Sequence, residues 1–552
     1  MTEIKDSNDS LAYADNNKST QQEIAEQPID DIKEDDTTYD HVIKYTGVFG
    51  GVQGLNMLMN VARSMIVARI LGPVGTAIIG KLSNFIELVH HTTDFGMCFS
   101  AIKHVSELFD TNDKERIKQF ICTVRTLFLL AGTLGTVVAL ICAIFITWTN
   151  PINIIVIAPM VGLITINAGE MAILKGVKQL KKVALASVFS TFATLIVTVP
   201  IYYIFGFGGI ATGLLLNQVA ILSITLHYST KVYPYNLGEH LLSTLKSQQT
   251  NAKKLWETIT SFIKGAVVTG KPMLVLGIGY VIAGVFGKGA EFIIYHFIPN
   301  QFSDPLVGDA QLGQYIAGYS IIVTYASYVF TAMEVDFFPR LSAASHDVKR
   351  YNVIVNQQIE VCALLMAPLL IGLVLFMPHM IHIIYSSRYS EAIPMAVCAA
   401  LYMYFKAFSG PVEYLALAKG DSKMYMFVEL AYDILIACLI PFAYSNFGLV
   451  GCGLALSATG LINFIFIFSI YTRKYHFKFS TRLIGFYTIQ LVLIVCTIIG
   501  VMHNIETTSR MLKWTIGPVA LLVSLAISGR ILYKETTVIQ SIKAKICQKF
   551  RS

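Results

Sequence analysis

Long uninterrupted apolar stretches restrict this chain to very few folds. Leu127–Trp148, Val183–Phe205 and Ile484–Val501 each run for roughly 18 residues or more, enough for a helix to cross a hydrocarbon layer of about 30 Å. Only 14% of the 552 residues are charged and 54% are hydrophobic, whereas soluble chains carry about a quarter charged residues. A soluble version would need about a dozen helices apolar on every side, which no globular core absorbs. The reading is an all-α polytopic membrane protein with about 14 transmembrane helices. The net charge of +7 describes topology, because the basic residues cluster in alternate loops, and no nucleic-acid partner is expected.

Residues 1–40 are rich in Asp, Glu, Asn, Gln, Ser and Thr and read as a disordered acidic cytosolic tail. They carry neither the positive flank nor the apolar stretch of a signal peptide. Six spans follow within 41–228, near 43–68, 76–102, 119–148, 152–174, 183–205 and 208–228. A polar cytosolic linker, 229–257, separates them from six more within 258–475, near 258–286, 313–338, 356–385, 391–418, 422–444 and 448–471. A final helix pair occupies 476–535 and a basic cytosolic tail 536–552. One set of loops holds about 27 Lys and Arg residues, while the other holds little more than Lys288, Arg388 and Arg510. That bias puts both termini in the cytosol. Two six-helix lobes starting on the same side would be related by a pseudo-two-fold axis along the membrane normal. The only sizeable loop on the other side is expected at 287–312, with Glu291, Asp304 and Asp309 as solvated charges. The nine cysteines lack CxxC spacing and read as packing residues.

Polar residues inside the spans carry the functional information, because lipid makes them costly and they face a bundle interior or a wet cavity. Gln53, Asn56, Asn60 and Arg63 share one face of the first helix, and Asn84, Glu87, His91 and Asp94 share one face of the second. Lys264 and Lys271 share a face of the seventh, Glu334, Asp336 and Arg340 end the eighth, and Lys406 and Glu413 flank Gly410-Pro411 in the tenth. These stripes predict a hydrated chamber between the lobes. Arg63, Lys264, Lys271 and Lys406, with Asn56 and Asn60, are the candidates for an anionic head group. Glu87, His91, Asp94, Glu334, Asp336 and Arg340 are the candidates for a gate or for coupling to H⁺ or Na⁺. Arg63 could instead pair with Glu87 or Asp94, and Lys264 could snorkel to the interface. Arg125 reads as an anchor at the membrane boundary, and the polar pair Glu429 and Asp433 is set aside. No metal site, GxSxG, HExxH or GxxxxGK[ST] motif is present, so neither catalysis nor ATP-driven transport is indicated.

Three segments resemble a known family. Asn60–Pro73 contains Ala-Arg69-Ile-Leu-Gly72-Pro73, similar to the AR-x-LGP opening of polysaccharide flippases. Asp94-Phe-Gly96 begins a segment similar to the end of their second helix, and Asp336-Phe-Phe-Pro339-Arg340-Leu-Ser is similar to the end of their eighth. The chain thus resembles the polysaccharide-transporter branch of the multidrug/oligosaccharidyl-lipid/polysaccharide (MOP) flippase superfamily over about residues 43–475. The resemblance implies alternating access in a bacterial inner membrane and export of an undecaprenyl-diphosphate-linked repeat unit for O-antigen, capsule or exopolysaccharide. It implies membrane lipids and a lipid-linked oligosaccharide as partners, together with a glycan polymerase and chain-length machinery. A cation-coupled multidrug antiporter and a lipid II flippase of the same superfamily are the alternatives.

Overall fold

A computed structural model of the chain describes residues 36–111, 113–234, 264–265, 267–268, 281–481, 484–506 and 511–535. Contacts divide the chain into two units, Met1–Gly51 and Val52–Ser552, and the account below concerns the second. The helices are α1 (Asp36–Thr93), α2 (Met97–Asp110), α3 (Lys114–Phe145), α4 (Pro151–Gly176), α5 (Leu180–Phe205) and α6 (Ile210–Thr230). Then come α7 (Val281–Gln301), α8 (Pro305–Tyr319), α9 (Ala326–Ala343), α10 (Val348–Ile384), α11 (Ala392–Ala418), α12 (Ser422–Tyr475), α13 (Ile484–Glu506) and α14 (Met511–Glu535). Among the described residues, nine helical stretches are long and apolar enough to cross a membrane. The chain is therefore an all-α multi-pass membrane protein.

Short turns explain why some stretches are so long. In α1 the helical geometry breaks at Gly72 (φ 65°, ψ −171°) and in α12 at Gly448 (φ 57°, ψ −144°), each joining two helical arms across a kink. Only glycine takes that left-handed geometry without a Cβ penalty, and Pro73 after Gly72 supplies the fixed φ of a helix start. Both turns fall in the loop set that the sequence leaves nearly free of basic residues. Other helices start at side-chain caps. Asp113, Asn150, Asp304, Asp347 and Asp421 each accept a hydrogen bond from an amide of the first turn.

α1 is helical from Asp36; residues 1–35, 235–257 of the linker, 258–263 of the seventh expected span and 536–552 of the basic tail lie outside the described ones. One expectation needs correction. The loop expected at 287–312 is mostly helix, since α7 continues to Gln301 and Asp304 caps α8. The polar residues that suggested a loop are satisfied inside the protein, so they do not end the helix.

The buried side chains form three clusters. Two are built from α1–α6 with little else, one around Phe85, Ile157 and Ile210 and the other around Val124, Phe128 and Ile173. The third spans α7–α14 and takes only Ala68 and Ala77 of α1 among its buried members. α3 and α4 meet at Gly132 and Gly162, where an added Cβ on Gly132 would lie 3.0 Å from the facing Cα. α13 and α14 pack together and against α10. Gln490 bridges the pair by donating to Ser528 (3.1 Å) and accepting from Ser524 (2.5 Å). Between α8 and α9 a π-helical turn, Ser320–Tyr325, inserts extra chain beside the cavities.

Candidate transport chambers

Among the described residues, polar side chains marked in the sequence are distributed over three cavities. The first, about 260 Å³, is enclosed by α1, α7, α8, α11 and α12. Five tyrosines line it (Tyr295, Tyr315, Tyr319, Tyr402 and Tyr432), with His91, Lys288, Glu291 and Asp433. Lys288 is its central feature. Its Nζ lies 2.7 Å from Glu87 and 3.0 Å from Glu291, and Asn84 donates to Glu291 at 3.0 Å and to the Lys288 carbonyl at 3.2 Å. Glu87, His91 and Asn84 thus meet α7 through the helix face that the sequence marked. Asp433 projects into the same space with no hydrogen bond or ion pair among the described residues.

The second cavity, about 320 Å³, lies within the C-terminal helices and shares Tyr402 with the first. Lys406, Glu413 and Glu429 line it. Lys406 is ion-paired to Glu413 at 2.6 Å across the Gly410-Pro411 segment, and Asn463 donates to the other carboxylate oxygen at 3.1 Å. The Tyr402 and Tyr432 hydroxyls are 2.5 Å apart where the two cavities adjoin.

The third cavity, about 330 Å³, is formed by α1, α4, α5 and α6. It contains Asn60 and Arg63. Asn56 lies beside it, 6% exposed, and donates to Ser187 at 2.8 Å.

The candidate residues are divided among these cavities and their surroundings. Arg63 pairs with neither Glu87 nor Asp94 and shares no cavity with Lys406. Lys406 is neutralised by Glu413, because a low-dielectric interior favours a tight pair over two free charges. Lys264 is exposed and lines none of the three cavities, and Lys271 lies outside the described residues. Asp94 is 5% exposed but stabilises the break between α1 and α2, accepting from the Gly96 amide at 2.9 Å. Glu334 and Asp336 lie on α9 with side chains outside the description, and Arg340 of the same helix is exposed. Arg125, taken for an anchor, is 5% exposed and forks onto Glu170 at 2.8 and 3.0 Å.

Several residues of the first chamber escaped sequence reasoning. From sequence, Lys288 and Glu291 read as loop residues and Asp433 carries no functional signal; Glu429, equally silent, lines the second cavity. The signal that could have found Lys288 and Glu291 is their spacing of three with apolar neighbours, which puts them on one helix face. The tyrosines gave no such signal, since aromatic residues are common throughout the spans.

The profile of a family described as "Polysaccharide biosynthesis protein" matches residues 286–394, a stretch that includes Asp336–Ser342 and the chamber-lining part of α7. No curated protein matches the chain. Among solved structures, an inward closed conformation of the lipid II flippase MurJ superposes with a TM-score of 0.57 at 15% identity, covering 88% of this chain and 99% of that one. An inward-facing multidrug resistance MATE family transporter superposes at 0.56 and 15% identity, covering 76% and 95%. A MOP superfamily transporter from Pyrococcus furiosus, whose description notes a binding pocket of reverse polarity, gives 0.51 at 11%, covering 77% and 95%. The chain thus shares its fold with these transporters.

Proposed function

We propose that this chain is an ion-coupled transporter that carries a polyprenyl-diphosphate-linked saccharide across the membrane, with cargo of the lipid II class. The observation that carries the reading is Lys288, held between Glu87 and Glu291 at the wall of a tyrosine-lined chamber. Tyrosine faces stack on sugar rings and their hydroxyls hydrogen-bond to the sugar. Lys288 is a movable point charge of the right sign for a phosphate. While both glutamates are ionised they hold it. Protonation of one, or its capture by Na⁺, releases the ammonium to the head group, which links cargo binding to the ion gradient. The lipid tail stays in the bilayer throughout. No catalytic residue is needed.

The likeness to MurJ favours lipid II among lipid-linked cargos. It covers 88% of the chain, more than residues 41–475 contain, so it takes in part of what flanks them. If each arm of the two glycine-broken helices crosses once, α1–α14 supply the expected fourteen crossings, with α2 an extension of α1 and α8–α9 one crossing. The basic-residue bias then puts both termini on the cytosolic side of a bacterial inner membrane. Export of an O-antigen, capsule or exopolysaccharide unit rests on the sequence segments and the family match at 286–394, and makes such a unit the second substrate to test. A different reading, export of organic cations, is favoured by Asp433, a carboxylate without a partner among aromatic rings.

Reconstitution in liposomes separates these readings. Fluorescent lipid II and an undecaprenyl-diphosphate oligosaccharide are supplied in one leaflet and their arrival in the other is read by quenching, with ethidium efflux as the parallel assay. Flipping of lipid II that falls at least about 10-fold in Lys288→Gln supports the reading (about 1.4 kcal/mol of lost stabilisation). Ethidium transport dependent on Asp433, with no lipid flipping, would replace it with the antiporter.

A further inference from the structure

We infer that the α1–α4–α5–α6 cavity is an oxyanion-binding site, separate from the tyrosine chamber, with Arg63 as its charged residue. Arg63 is half-buried, and its guanidinium makes no hydrogen bond or ion pair among the described residues. An arginine cannot shed its proton, so a half-buried one must find counter-charge or water. The cavity wall supplies no carboxylate. The nearest buried acid on α4, Glu170, is already held by Arg125.

What the wall does supply is neutral and polar. Asn217 is 8% exposed and Asn167 half-buried, and each leaves its amide oxygen without a partner. An amide turned over presents its NH₂ group to the same space, so each can serve as a donor. The Ser190 hydroxyl makes no hydrogen bond among the described residues, while its carbonyl accepts from Thr194. Ser187 accepts from Asn56 at 2.8 Å, which leaves its own proton to give. Thr191 and Thr194, in contrast, donate to carbonyls of their own helix at 3.0 and 2.9 Å. One forked cation ringed by amides and hydroxyls, with no competing carboxylate, matches a phosphate or carboxylate group. A cation would meet Arg63 repulsion, and an apolar ligand would strand the amides. The cavity, at about 330 Å³, has room for such a group with attached atoms. The oxyanion is either free in solution or the acidic substituent of a sugar on the cargo.

Binding to the full-length protein in nanodiscs tests this without relying on transport. The probes are inorganic phosphate, glucuronate, and an undecaprenyl-linked oligosaccharide with or without a uronate, each scored by thermal unfolding and calorimetry in chloride-free buffer. Saturable binding is expected in the wild type. It should fall at least 10-fold in Arg63→Gln and less in Arg63→Lys. Should Arg63→Gln fail to fold, Asn217→Leu, which fills the cavity and keeps the arginine, should give the same loss. Binding of the free probes identifies a soluble oxyanion, whereas Arg63-dependent binding only of the uronate-bearing lipid identifies the cargo. Binding unchanged in Arg63→Gln and Asn217→Leu, displaced by chloride alone, or absent for every probe would overturn the assignment.

Discussion

At the scale of single residues, the interior charges are set by specific partners. Lys406 and Glu413, seven residues apart on α11, show this clearly. Glu413 is 8% exposed and is satisfied by Lys406 and Asn463 together. Removing the lysine leaves a buried carboxylate short of its counter-charge, so Lys406→Ala should cost about 3 kcal/mol, near the low end for such pairs because Lys406 remains partly exposed. The double variant Lys406→Met/Glu413→Leu should recover most of that loss. Thermal unfolding in detergent checks both values, and a double variant as unstable as the single one would show that the pair is not the source. The helical period in the sequence marked the correct faces for Asn84, Glu87, His91, Asn60 and Arg63. It could not reveal what those faces meet, because a period reports only a residue's neighbours on its own helix. For that reason Lys288 reads from the sequence as a loop residue, although its ammonium lies 2.7 Å from Glu87 of α1.

At the scale of elements, glycines decide how closely helices approach and where they turn. Gly313 on α8 lies against the turn of α1, and a Cβ there would come 2.1 Å from the Pro73 carbonyl oxygen. Backbone cannot yield as a side-chain tip can, so Gly313→Ala should destabilise by about 1–3 kcal/mol or more, the usual range for overpacking. Gly529 on α14 has open space at the same point, and Gly529→Ala should stabilise by about 0.5–1 kcal/mol through helix propensity alone. Opposite shifts in unfolding temperature are therefore expected from the same chemical change, and equal shifts would contradict the packing described. That the chain is an all-α membrane protein was legible in the sequence, because hydrophobic length is a direct property of composition. The turns were less legible. Gly72-Pro73 was noticed as part of a motif, yet neither its left-handed φ nor its contact with Gly313 follows from local sequence. Near α12, Asp421 shows the same dependence on distant chain. Burial pushes its carboxyl up, but hydrogen bonds from Lys474, Tyr475 and the Met424 amide outweigh that and hold it below the usual carboxylate range. Whatever this contact adds to stability is present above the ordinary aspartate range and is lost as pH falls through the lowered value.

At the scale of the whole molecule, the contacts most relevant to transport join α1 to the C-terminal helices around its Gly72 turn. Arg69 donates to the Ile383 carbonyl at 2.8 Å, the Thr76 and Tyr389 hydroxyls are 2.6 Å apart, and Lys81 meets Asp309 at 2.5 Å. All three lie toward one end of the helices, the end that the basic-residue bias assigns away from the cytosol. Under the proposed transport function, alternating access would open this end, and these contacts would be made and broken in every cycle. The buried Lys81–Asp309 pair is the most costly of them to separate, because each charge must be rehydrated as it parts. Asp309→Asn should therefore shift the population toward the state open at this end. In a chain whose native cysteines have been replaced, Ile436→Cys places a thiol on the wall of the tyrosine chamber. Its labelling by a membrane-impermeant maleimide added from outside should accelerate several-fold when Asp309→Asn is introduced, and Lys81→Met should act in the same direction. An unchanged labelling rate in both variants would mean that the pair stabilises the fold without controlling access, and the closed end would then have to be held by Arg69 and Tyr389.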